Sequence, residues 1–216
     1  LGGTANGLVG VPDILDAGQE FAVQIRAVDQ YFNRVTGINN PVIFHSVDPN
    51  IAVPVGVSLI NGEAYVPVTI YMSGAQTLSV SDTASQGIAA TPGSTFYVQP
   101  GPYAKLLLIA PGQTGQPGDV DGRVGEATAQ SITYLFTVLA LATDQWYNQV
   151  TGAGDLVHLA CDTDAGAELP ADTFLVNGKA FLEMRLATGG FQQLVLTSLS
   201  NPAITASATQ VLAISS

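Results

Sequence analysis

The chain has 216 residues, 47% of them hydrophobic, with seventeen acids against six Lys and Arg, a formal net charge of −11 and one cysteine. Six dispersed cations cannot build the clustered basic face that phosphate neutralisation needs, which excludes nucleic acid and anionic membrane surfaces as partners and leaves a cation as the charged partner that suits this surface. Cys161 alone forms no intramolecular disulfide. No apolar run reaches the ~20 residues of a membrane helix, the longest (134–142) being interrupted by Thr137, so no membrane insertion is expected in this segment.

In chain order, the sequence opens on a Gly-rich lead-in, Leu1-Gly-Gly-Thr-Ala-Asn-Gly-Leu-Val-Gly10, and then an alternating run over 20–28 that predicts a strand. The stretch Asp29-Gln-Tyr-Phe-Asn33-Arg-Val-Thr-Gly37 predicts a turn, because Asp and Asn side chains bond nearby backbone amides. A strand over 41–47 follows. Asn61-Gly62, set between two apolar runs, predicts a type I′ hairpin, whose central residues both need positive φ. In 63–70 the residues Ala64, Val66, Val68 and Ile70 share one face, and Glu63, Tyr65, Pro67 and Thr69 the other. Pro67 has no N–H for a ladder, which predicts an unpaired edge or a bulge at that point. Strands over 76–80 and 94–99 complete the first half, and Gln99-Pro-Gly-Pro-Tyr103 reads as a short stiff linker.

The second half repeats the first. Asp144-Gln-Trp-Tyr-Asn148-Gln-Val-Thr-Gly152 restates the Asp29 turn, and Asn177-Gly178 restates the hairpin, with the register shifted by a single residue between the two anchors. Strands are predicted over 131–142, 155–161, 179–186, 192–196 and 206–214; in 179–186 the buried face is Ala180, Leu182, Met184 and Leu186. Self-similarity at this period predicts two tandem modules, 1–101 and 102–216, each long enough for its own core. Short strands separated by Gly, Pro, Asn and Asp, without helical periodicity, predict an all-β sandwich. The second module has an apolar strand over 104–110 ahead of its Gly-rich lead-in, 115–125; the first has none before its own lead-in, so it is expected to lack its first strand. The open edge that this expectation creates suits a strand from another subunit, and so head-to-tail assembly by strand addition.

With Asp-x-x-x-Asn after a long strand, an Asn-Gly-x-Ala hairpin, and Ala-Gln-Thr-Leu-Ser-Val-Ser-Asp over 75–82, the chain resembles bacterial immunoglobulin-like repeats of invasin- and intimin-type adhesins and other large surface proteins. The resemblance covers nearly the whole chain; Phe191-Gln-Gln-Leu is a local departure from the more regular Gly-x-x-Thr-Leu. It implies two tandem immunoglobulin-like antiparallel β-sandwich domains, secreted to the bacterial cell surface.

Several residues are weighed as sites. Asp29 with Asn33, and Asp144 with Asn148, have the oxygens for a metal or ligand, but a feature present in both copies reads first as a turn that the fold requires. Tyr31 and Phe32, and Trp146 and Tyr147, lie in those turns; one of each pair is expected to cap the core, and Tyr31 and Trp146 are the candidates for contact with a ligand. Asp119-Val-Asp121-Gly122 resembles the start of a calcium loop, with Glu126 as a third carboxylate, yet Arg123 opposes a cation and the closing Glu of an EF-hand is missing. This reads first as a loop between strands, with calcium as the lesser alternative and no other cofactor. His45 and His158 are expected on matching strands, one position out of register and facing opposite ways, which makes neither a zinc site nor a triad. Cys161 reads as a small buried hydrophobe, with His158 on the other face of its strand. No catalytic residues are identified.

The expected function is therefore non-catalytic: part of an extracellular stalk, adhesin or filament whose partners are other copies of itself or neighbouring repeats, with a host receptor or glycan as a further partner. The alternative is a carbohydrate- or ligand-binding accessory module of a secreted enzyme.

Overall fold

A computed structural model describes residues 12–84, 91–93 and 95–215. They form two compact units that divide between Gln99 and Pro100. All the regular elements among the described residues are β-strands.

The first unit contains β1 (Leu15–Asp16), β2 (Glu20–Arg26), β3 (Val42–Ser46), β4 (Glu63–Thr69), β5 (Gly74–Gln76), β6 (Leu78–Asp82), β7 (Thr91–Pro92) and β8 (Phe96–Gln99). Strands β2 and β4 pair antiparallel from Glu20↔Thr69 to Arg26↔Glu63. The other pairings are β3-β6-β7 and β1-β8-β5, with β1 and β8 parallel. Because β5 and β6 are separated only by Thr77, these two groups share one interrupted strand. Val66, Val68 and Ile70 are buried while Tyr65 is exposed, which is the division that the alternation predicts. Phe21 and Phe96 meet edge to face at 5.7 Å.

Pro67 has an explanation in the ladder. Thr69 exchanges both backbone bonds with Ala52, at 2.9 and 3.0 Å, on the side away from β2. By the period of two, Pro67 turns its nitrogen to that same outer edge, where β4 has no partner strand among the described residues. The lead-in ahead of which the first strand is expected to be missing, residues 1–10, lies outside the described residues.

The second unit contains β9 (Lys105–Ile109), β10 (Thr114–Gly115), β11 (Arg123–Val124), β12 (Gln130–Ser131), β13 (Phe136–Thr143), β14 (Leu156–Ala160), β15 (Thr173–Phe174), β16 (Lys179–Met184), β17 (Gly190–Ser198) and β18 (Ser207–Ile214). One sheet has the order β16-β13-β9, the other β12-β18-β17-β14-β15, and β10 pairs with β11 in a separate ribbon. This is an immunoglobulin-like arrangement: the chain crosses between the two sheets from β9 to β12, β12 to β13, β13 to β14, β15 to β16 and β16 to β17, and the strand after each Asn-Gly hairpin returns to pair with the long strand that precedes the Asp-Asn turn. Leu108, Val138, Met184, Leu186, Leu194 and Leu196 lie fully buried between the sheets. Each such side chain contributes roughly 1.5–3 kcal/mol.

The predicted strand over 131–142 is in fact two elements. Strand β12 lies parallel to β18 in one sheet, whereas β13 pairs with β9 and β16 in the other. The chain changes sheet over 132–135, where Tyr134 and Leu135 are exposed, so the hydrophobicity that suggested one continuous strand spans a crossing.

Candidate functional site: the repeated turn and its surroundings

Both copies of the Asp-x-x-x-Asn turn are built in the same way. Asp144 Oδ1 accepts the N–H groups of Trp146 at 2.8 Å and Asn148 at 2.9 Å, and Oδ2 accepts Asn148 Nδ2 at 2.9 Å. In the first copy Asp29 Oδ1 accepts from Tyr31 and Asn33, both at 2.9 Å, and Oδ2 accepts Asn33 Nδ2 at 3.1 Å. The backbone closes each turn, with the Asp N–H donating to the Asn carbonyl at 2.9 Å in the first copy and 3.0 Å in the second. The Asn33 amide and side chain hold the Asp29 carboxyl below its usual range. Phe32 and Tyr147 carry φ of +63° and +60°, a left-handed conformation that costs an aromatic residue about 1–2 kcal/mol and that the carboxylate bonds offset.

The second copy has one contact more. Asp144 Oδ2 also accepts the Gly101 N–H at 2.8 Å, and Asp144 is fully buried where Asp29 is exposed. Gly101 stands between Pro100 and Pro102, neither of which has an N–H, so this is the backbone donor that the linker offers across 100–102. The turn carboxylate thus fixes the start of its own unit.

The aromatic residues divide as expected in the first copy, with Tyr31 65% exposed and Phe32 half-buried. Trp146 is different: it is half-buried and its indole Nε1 is out of contact with solvent. The loop 115–125 closes over this turn, with the Gly118 N–H bonded to the Trp146 carbonyl at 2.8 Å and Tyr147 lying on Gly122, where a Cβ would stand 2.3 Å from the ring. Lys105 Nζ sits 4.4 Å from the Tyr147 ring centroid. Tyr31 therefore offers more surface to a ligand than Trp146 does.

Two further repeated devices were not read from the sequence. Asp48 Oδ2 accepts the N–H groups of Tyr71 and Met72 at 2.6 and 3.0 Å, and Asp164 Oδ2 accepts those of Ala187 and Thr188 at the same distances. Both aspartates are buried, and each ties the turn that it begins, 48–51 or 164–167, to the residues just past the strand after the hairpin. Burial raises the pKa of Asp164, but the Thr188, Ala187 and Gly166 bonds outweigh it and hold the carboxyl below its usual range. Likewise Gln76 and Gln192 are buried and donate through Nε2 to the carbonyls of Met72 and Thr188, both at 2.9 Å.

These equivalences locate the single-residue shift and correct the placement of the histidines. His45 pairs with Ser79 and His158 with Thr197; since Gln76 matches Gln192, His45 occupies the position of Ala160, and His158 that of Ile43. The two histidines are thus two positions apart and both face outward, and the extra residue of the second copy lies between Cys161 and Asp164. His45 Nε2 lies 2.8 Å from Ser81 Oγ, and His158 Nδ1 lies 2.7 Å from Asp172 Oδ1. Cys161 is buried, with Sγ 3.7 Å from Thr163 Oγ1.

Asp119, Asp121 and Glu126 are not gathered into a cation site. Asp119 Oδ1 accepts the Asp121 N–H at 2.8 Å, an Asx turn, and no group of three His, Cys, Asp or Glu suited to a metal occurs among the described residues. Arg123 staples this loop to the sheets, donating to the carbonyls of Leu108 and Ala208.

No family model and no curated protein sequence matches the chain. Among solved structures, it is similar to domains 4 and 5 of the S-layer protein SbsC (15% identity, 88% of this chain and 80% of that one, TM-score 0.35) and to the D0-D1 domain of intimin (12% identity, 92% and 93%, TM-score 0.31). It is also similar to Bacteroides uniformis beta-glucuronidase 3 (15% identity, TM-score 0.37), where it covers 81% of this chain but 21% of that one.

Proposed function

We propose that the chain is a section of an extracellular, repetitive surface protein in which immunoglobulin-like modules act as non-catalytic spacers that hold or display neighbouring parts. The observation that carries this reading is the duplication of the devices that hold each unit together. The Asp-Asn turn, the Asn-Gly hairpin, the buried aspartate and the buried glutamine recur in both copies, and they commit Asp29, Asp48, Asp144 and Asp164 to bonds within their own units. The acidic, lysine-poor composition favours solubility and discourages nonspecific association in such an array. The Asp144–Gly101 bond adds a firm point where the Pro-Gly-Pro linker meets the second module. Head-to-tail assembly is the finer form of the proposal, with an added strand running along the edge of β2 opposite β4, where β2 has no partner strand among the described residues.

Protease treatment of intact cells tests the location: peptides of this chain should be released before any cytoplasmic marker, and their retention until lysis would overturn it. Sedimentation velocity tests the assembly, which requires end-to-end oligomers that grow with concentration; a monomer at all concentrations would remove that part.

A further inference from the structure

We propose a binding site for a neutral, hydroxyl-rich ligand, a stretch of uncharged polysaccharide, in the groove of the second unit between β18 and the loop that follows β11. The groove has a volume of about 360 Å³ and is open to solvent; its lining includes Gln113, Arg123, Glu126, Gln193 and Gln210. That volume is at the lower end of the ~300–1,000 Å³ typical of ligand sites.

The groove is preorganised. Gln113 Oε1 accepts both the Ala110 N–H at 3.0 Å and the Thr209 hydroxyl at 3.1 Å, which fixes the amide and leaves its NH₂ as the donor. Arg123 is held by the Leu108 carbonyl at 2.6 Å and by the Ala208 carbonyl. Gln193 and Gln210 are directly opposed across β17 and β18 and project outward side by side. Next to them on the same face stands the pair Phe191↔Leu212, with Phe191 70% exposed. Side-chain amides, a guanidinium and a carboxylate beside an exposed aromatic ring supply what sugar recognition needs: paired donors and acceptors for hydroxyls and a ring face for C–H groups.

Charge selects the neutral class. None of the seventeen acids stands at an outward position of β14, β17 or β18, although the chain as a whole carries −11. An anionic polymer would meet that net charge with Arg123 already committed to two carbonyls, and a cationic one would find Glu126 as the one acid of the groove lining, with Arg123 in the same lining. The first unit lacks the constellation: Ala75 and Thr77 stand where the second has Phe191 and Gln193, which makes it an internal control.

The test is an NMR titration of the intact chain with soluble xyloglucan and dextran as neutral probes, and polygalacturonate and chitosan as charged ones, following the side-chain amide signals of Gln113, Gln193 and Gln210. A neutral probe should shift these signals, and F191A and Q193A/Q210A should each raise its Kd by about fivefold or more without lowering Tm, since all three side chains are exposed. The proposal is overturned if no neutral probe shifts the signals, if only a charged probe does, or if the variants bind as the parent does.

Discussion

Replacing Asp144 by alanine removes the acceptor for four donors at once: the N–H groups of Trp146, Asn148 and Gly101 and the Asn148 side-chain amide. Hydrogen bonds to a charged acceptor are worth about 1.5–3 kcal/mol each, and they are not additive around one carboxylate. Because the site is fully buried, water does not readily take the carboxylate's place, and the expected loss is about 4 kcal/mol, or roughly 15 °C in Tm for a unit of this size. Asp29→Ala removes three equivalent bonds at an exposed site, where water replaces them, and should cost far less. Urea denaturation followed by tryptophan fluorescence reads the second unit alone, since Trp146 is the single tryptophan, while far-UV circular dichroism reads both. A fall in the fluorescence midpoint for D144A, larger than the fall that D29A causes in the first unit's transition by circular dichroism, is predicted. Equal effects, or a cost below about 1 kcal/mol for D144A, would refute the claim that this carboxylate organises the turn and linker.

Gly178→Ala should destabilise the second unit by more than about 2 kcal/mol, because its φ of +70° is joined to a Cβ position 2.2 Å from the Val150 carbonyl oxygen; thermal melts check this, and G62A should behave alike in the first unit. Asp164→Asn should cost stability at neutral pH by an amount that disappears in acid. The folded pKa of Asp164 is lowered, so its contribution is complete above the unfolded value of about 3.9 and is lost as pH falls through the folded value. Chemical denaturation at a series of pH values should therefore show parent and D164N converging below about pH 4. Leu194→Ala, which opens a cavity at a fully buried position, should cost about 2–5 kcal/mol by the same assay. Millimolar calcium should leave Tm unchanged, as the carboxylates of Asp119, Asp121 and Glu126 are not drawn into one cluster.

What could be read from the sequence was what is local. Each Asn-Gly pair carries its own conformational demand, and both adopt the predicted left-handed pair of φ values, +53° and +78° in one copy and +52° and +70° in the other. The Asp-x-x-x-Asn turn was likewise legible because its bonds span four residues. Asp48 and Asp164 were not, since their main partners lie 23 and 24 residues further on and the residues around them differ, Pro49-Asn50 against Ala165-Gly166. The break between β12 and β13 escaped detection because apolar residues continue through the crossing. The histidine placement failed because one residue is inserted between the anchors, after the strands rather than before them. The groove was invisible for a different reason: Gln113 and Arg123 approach Gln193 and Gln210 only when the loop folds back on β18.

The central claim of the proposal is that the two units fold separately as immunoglobulin-like modules. Stretching it between two handles in a single-molecule force experiment tests this most directly. The account predicts two unfolding events, each releasing about 32 nm, the length of roughly 100 residues extended at ~3.6 Å apiece less about 4 nm for the span of the folded unit. A single event releasing the whole length, or extension without a resolved force peak, would contradict it.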